Sequence, residues 1–213
     1  MGQAADDWGQ SRRMTKPFSN PTLEGYLLAH REVHQAGHVV IAEVLGWPQS
    51  GVTVDPTKAG RRPDGSFAEG KAFIPSDFHQ WTRGDGHKQR VAAVYARILY
   101  AGRAAEIALL GKDYGGHALD YEHAREAIRW GRNGIYPAFR RSRDGTFVRQ
   151  SIEDYVVGRT ERRLEKQAAV LVERHKMAIA MVAVSLRMKA TLTGDEVRAL
   201  IEEAKRRLRL ALL

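Results

Sequence analysis

The amino-acid sequence predicts a mostly α protein of the α+β class, with a small β-sheet and a bundle of helices towards its C-terminal end. Three observations carry this expectation. Apolar residues recur at helical spacing through most of the chain after Pro21. One stretch, from Gly51 to Ile74, breaks that period and reads as β. Hydrophobic residues fill 43% of the 213 positions, enough for a core, yet no apolar run approaches the ~18 residues that span a bilayer.

Residues 1–20 are polar and basic and read as a tail ahead of a single domain over 21–213. They lack the apolar segment of a signal peptide, so the expectation is a cytoplasmic protein with no transmembrane segment. Asn20-Pro21 reads as an N-cap with proline at the first helical position, opening a helix that runs to about Leu45. Leu27, His34, His38, Ile41 and Leu45 form one stripe on it, and Gly46-Trp47-Pro48 ends it. Gly51 to Val54 is a short strand with Pro56 after it. Arg61 to Gly65 is a turn-rich loop, and Ser66 to Ile74 alternates as a second strand, a hairpin partner for the first.

The helical period returns from about Lys88 to Leu110 through Val91, Val94, Tyr95, Ile98, Leu99 and Ala105. Lys112 to His117 is a glycine-rich loop and Asp120 to Trp130 another helix. Gly131 to Asp144 reads as an exposed basic loop with Arg132, Arg140, Arg141 and Arg143. Ile152 to about Lys189 is one long helix or a close pair. Thr193-Gly194-Asp195-Glu196 is a capping box that opens the last helix.

Chemistry concentrates in His34-Gln35-Ala36-Gly37-His38. Histidines four apart on a helix leave the same face, so their imidazoles can converge on one metal ion. The chain has no cysteine, so thiolate sites are excluded and further ligands must be His, Asp or Glu. His30 extends the row, but three ligands along one straight helix would span about 12 Å, while ligand nitrogens sit only about 2.1 Å from zinc. His30 is therefore read as a neighbour of the site or a surface residue, and a third ligand must come from elsewhere. Gly37, costly by roughly 1 kcal/mol inside a helix, is read as room for a second backbone to approach.

The segment from His34 to His38, followed by Val39-Val40-Ile41-Ala42, resembles the His-Glu-Ala-Gly-His segment of FtsH-type zinc proteases. Ala101-Gly102-Arg103-Ala104-Ala105-Glu106 resembles that family's Gly-Arg-Ala-Ala-Glu helix. Gly116-His117-Ala118-Leu119-Asp120-Tyr121-Glu122 resembles its Gly-Ala-Ser-Asn-Asp-Leu-Glu stretch, and Leu192 to Val197 its closing helix start. The resemblance covers about residues 22–203. It implies a Zn2+ ion held by His34, His38 and Asp120, and a peptidase acting on unfolded or loosely folded protein. His117, Glu122 and His123 are alternative donors close to Asp120. Glu106 is read either as the carboxylate that orients a ligand histidine or as a partner for Arg103 or another basic residue.

Gln35 departs from the family pattern at the catalytic position, where glutamate takes the proton of the attacking water. An amide has no comparable basicity, so the chain as written is expected to be inactive or nearly so. Glu32 points to another face and is a poor substitute. Two explanations compete: an inactivating replacement of glutamate, or a pseudo-peptidase that binds zinc and peptide without cutting. The family's AAA ATPase module and membrane anchor have no counterpart here, and Gly111-Lys112-Asp113 is no phosphate loop, so no ATP dependence is expected. Oligomeric state is left open. A net charge of +9 admits acidic partners. A nucleic-acid binder is the third reading, disfavoured because no recognised nucleic-acid motif accompanies the arginines.

Overall fold

The computed structural model describes residues 30–60, 70–75, 85–115, 117–132 and 147–211. Among the described residues, seven helices and three strands follow in the order α1 (His30–Val44), β1 (Gly51–Thr53), α2 (Pro56–Ala59), β2 (Lys71–Ala72), α3 (Asp85–Leu110), α4 (Ala118–Arg132), α5 (Phe147–Arg174), α6 (Lys176–Lys189), β3 (Thr191–Thr193) and α7 (Gly194–Leu210). The protein is thus mostly α with a small antiparallel sheet, and its last three helices pack at the C-terminal end. Among the described residues no helix is long and apolar enough to cross a membrane.

Helix α1 is the centre of the core. Its residues Val33, Ala36, Val39, Val40, Ile41 and Ala42 are fully buried, because α3, α6 and the sheet cover it on different sides. A helix buried on so many sides cannot show a clean polar face, and α1 accordingly carries almost no exposed residue between Glu32 and Ala42. Ile98, Val172, Ile179, Val182, Leu186 and Ile201 complete this cluster. A second, smaller cluster joins α3, α4 and α5 through Tyr100, Ala124, Ile128, Val157 and Leu164.

The sheet has the order β2-β1-β3, all antiparallel, with Val52 opposite Ala72 on one side and Leu192 on the other. The hairpin expectation is met in its pairing, with Lys71–Ala72 as the paired part of the second strand. The other partner of β1 was not foreseen: Thr191–Thr193, read only as the approach to a helix cap, pairs along β1. Gly51 makes this possible. Its φ is 137°, and a Cβ there would lie 2.2 Å from the Leu192 carbonyl oxygen. The long C-terminal segment is a pair of helices broken at His175. The capping box forms as expected, with Thr193 accepting from the Glu196 N–H and Glu196 accepting from the Thr193 N–H.

The start of the first helix from Pro21, the loop at Arg61 to Gly65, residues 66–69 of the second predicted strand and Arg140, Arg141 and Arg143 of the basic loop lie outside the described residues.

Candidate metal centre

Gly37 brings the site together. A Cβ on it would lie 2.6 Å from the Ala101 carbonyl oxygen and 2.8 Å from the Ala105 methyl, so α1 and α3 approach backbone to backbone at this point. The expected close approach is present. It places the His34/His38 face of α1 over one row of α3 formed by Ile98, Gly102 and Glu106, each four residues from the next. The row supplies three different things. The Ile98 carbonyl accepts from His38 Nδ1 at 2.8 Å. Gly102 supplies space, for a Cβ there would sit 2.6 Å from His38 Nε2 and 2.7 Å from His34 Nε2. The Glu106 carboxylate accepts from His34 Nδ1 at 2.8 Å.

Asp120 arrives from the first turn of α4, where a carboxylate is favoured by the helix dipole. Its Oδ2 lies 3.0 Å from His34 Nε2 and 3.4 Å from His38 Nε2, and the two Nε2 atoms are 2.9 Å apart. These three side chains form a group that can hold a metal ion, and both histidines are buried. Donors about 2.1 Å from a tetrahedral ion stand roughly 3.4 Å from one another, so the cluster needs only slight opening to accept one.

Proton positions strengthen the fit. A carbonyl oxygen only accepts, so His38 carries its hydrogen on Nδ1 when neutral. Burial resists the charge on Glu106, but His34 and the Tyr114 N–H, 2.8 Å from Oε2, hold its pKa below the ordinary value. Glu106 is thus ionised and takes the Nδ1 hydrogen of His34. Both Nε2 lone pairs and the Asp120 oxygen then meet at one place with no hydrogen among neutral tautomers. Something positive belongs between them. Without a metal it is a proton: burial lowers the pKa of His34, but hydrogen bonds and charges from Asp120 and Glu106 outweigh it and raise it to about 9. Burial likewise opposes ionisation of Asp120, yet the two histidines hold its pKa far below the usual carboxylate range.

The other candidates fall outside the cluster. His30 stacks on Tyr114, with ring centroids 5.1 Å apart. His117 packs against the Tyr121 ring, its Nδ1 3.9 Å from Asp113. Glu122 and His123 are exposed. Glu32 is buried and meets Arg31 at 3.5 Å. Arg103, the alternative partner for Glu106, is instead bonded to Asp113 at 2.8 Å and to the Tyr121 hydroxyl, which also bonds Glu165.

Two residues gained their roles only from the structure. Gly102 could have been suspected as a glycine inside a strong helix former, where it costs about 1 kcal/mol without a turn to justify it. Gly70 lies beside Gln35: a Cβ there would be 2.9 Å from Gln35 Cγ and 3.0 Å from the Thr53 carbonyl oxygen. Position 35 thus faces the start of the edge strand β2. No protein-family model matches the chain, and a search of curated proteins finds no significant match.

Proposed function

We propose that this chain is a zinc peptidase domain of the FtsH type whose catalytic-base position holds an amide. The observation that supports it is the convergence of His34 Nε2, His38 Nε2 and Asp120 Oδ2 within 2.9–3.4 Å, with both Nδ1 hydrogens committed elsewhere. Two imidazoles and one carboxylate, with no thiolate, suit Zn2+ and leave an open position for water or substrate. Zinc bound there would polarise a carbonyl and make its bound water acidic. The chain's own residues supply the rest. Glu106 and the Ile98 carbonyl hold the imidazoles in one tautomer and orientation. Gln35 can hold a water by hydrogen bonds but cannot take its proton, which removes a contribution typically worth about 10²–10⁴-fold. The substrate is unfolded or loosely folded polypeptide, and ATP plays no part.

Gln35 itself favours a second reading, a zinc-dependent binding or regulatory domain that does not cut. One experiment separates the two. Gln35→Glu adds a carboxylate of nearly the same shape, so metal content and fold should persist. Casein hydrolysis should rise at least about 10²-fold, stop with chelator, return with zinc and ignore nucleotide. A zinc-loaded Gln35→Glu protein that leaves casein intact establishes the binding-domain reading instead. Metal analysis of the purified chain separates zinc from iron(II), which the same donor set also suits.

A further inference from the structure

A groove of about 700 Å³ runs between α3 and α5. Arg97 reaches it from α3. Arg159, Arg162, Arg163 and Lys166 reach it from α5, where their spacing puts them on one face. No carboxylate lines this groove among the described residues. None of the four α5 cations has an ion-pair partner there either. Several cations elsewhere on the surface are paired. Arg125 meets Glu161, Arg198 meets Asp195, and Arg206 and Arg207 share Glu203. Five cations therefore face one hollow with their repulsion uncompensated. Burial, together with the neighbouring charge of Arg163, already lowers the pKa of Arg97. The groove then changes character along α5, ending on Val170, which is 63% exposed, and Leu171.

We propose that this groove binds an acidic polypeptide segment that carries an apolar residue beside its carboxylates. The size lies within the range of about 300–1,000 Å³ that ligand sites occupy. Arginine pairs bidentately with carboxylates, and four arginines around one hollow can each take one. Val170 and Leu171 give an apolar side chain a place that a bare phosphate backbone would leave unused. Among the described residues no aromatic ring lines the groove, which offers no stacking platform of the kind single-stranded nucleic-acid sites use. The cations surround a concavity, which a flat layer of lipid headgroups would not fill. Taking the bound segment to be part of a substrate rests on the peptidase reading; the binding itself does not.

The test is fluorescence anisotropy of the full chain with a labelled peptide bearing a run of glutamates followed by leucines. Binding should saturate, weaken with salt and persist in chelator. The double variant Arg159→Glu/Arg163→Glu should weaken it at least about tenfold, and Val170→Asp should weaken it as well. All three positions are exposed, and unchanged circular dichroism would show that the fold survives. Arg187→Glu/Arg209→Glu makes the same change in net charge at exposed positions elsewhere and should have little effect. Equal loss in that control would mean diffuse attraction and overturn the site. Tighter binding of single-stranded DNA or inorganic polyphosphate at the same salt would overturn the choice of ligand. Loss of peptide binding in chelator would assign the peptide to the metal centre instead. A chain that binds no zinc but still holds the peptide would sink the peptidase reading and leave the groove standing.

Discussion

Gly102→Ala is the sharpest test of the candidate centre, because a single methyl falls where His34 Nε2 and His38 Nε2 meet. The new Cβ would lie 2.6 Å from His38 Nε2 and 2.7 Å from His34 Nε2 and Cε1. Ordinary contact begins near 3.4 Å, so both rings must retreat by about 0.7–0.8 Å. Each ring is tied at its far nitrogen by a 2.8 Å hydrogen bond, to Ile98 or Glu106, worth about 1 kcal/mol. Retreat strains both bonds and displaces the Nε2 atoms by about 0.7–0.8 Å, whereas a metal site tolerates errors of only about 0.2 Å. Zinc affinity should fall at least about 100-fold, roughly 2.7 kcal/mol. Metal-free stability should change little, since alanine in place of a mid-helix glycine returns about 1 kcal/mol against the strain. Competition with a chromophoric chelator measures the first quantity and thermal melting in EDTA the second. Gly37→Ala supplies the contrast: its Cβ would strike the Ala101 carbonyl oxygen at 2.6 Å, a backbone atom that cannot swing aside, so it should lower the melting temperature itself. Wild-type zinc affinity in Gly102→Ala would refute the assignment of the two Nε2 atoms as donors.

Three further outcomes follow from the same geometry. Asp120→Ala should release zinc to equilibrium dialysis while Glu122→Ala and His30→Ala retain it, because the latter two stand outside the donor cluster; zinc retained by Asp120→Ala would exclude that carboxylate. Glu106→Gln keeps an acceptor for His34 Nδ1 but removes the charge, and should weaken zinc binding by about 10–100-fold with the fold intact, an effect visible in the same dialysis. In EDTA the raised pKa of His34 adds stability that is fully present below pH 6.5 and is lost as pH rises through about 9. Zinc must displace that proton, so calorimetry at pH 7 in buffers of different ionisation enthalpy should report close to one proton released per zinc; buffer-independent heat would contradict a protonated His34 in the metal-free protein.

Much of this protein was legible in its local pattern. Helical spacing located α1, α3, α4 and the C-terminal helices, and the Thr193 box located the start of α7, because a helix face and a cap are decided within a few residues. His34 and His38 share a face for the same local reason, and the cost of a mid-helix glycine pointed to close packing at Gly37. What remained hidden depends on partners far apart in the chain. β3 is only three residues long and owes its existence to pairing with β1, about 140 positions earlier, so its own sequence carries little strand signal. Glu106 had two equally plausible partners until α3 was set against α1, when the approach at Gly37 turned it towards His34 and left Arg103 to Asp113. The basic groove was read from the sequence only as excess charge. Arg97 meets the α5 arginines because two helices pack side by side, and whether charges repel in one hollow or disperse over a surface is decided by distance in space, not along the chain.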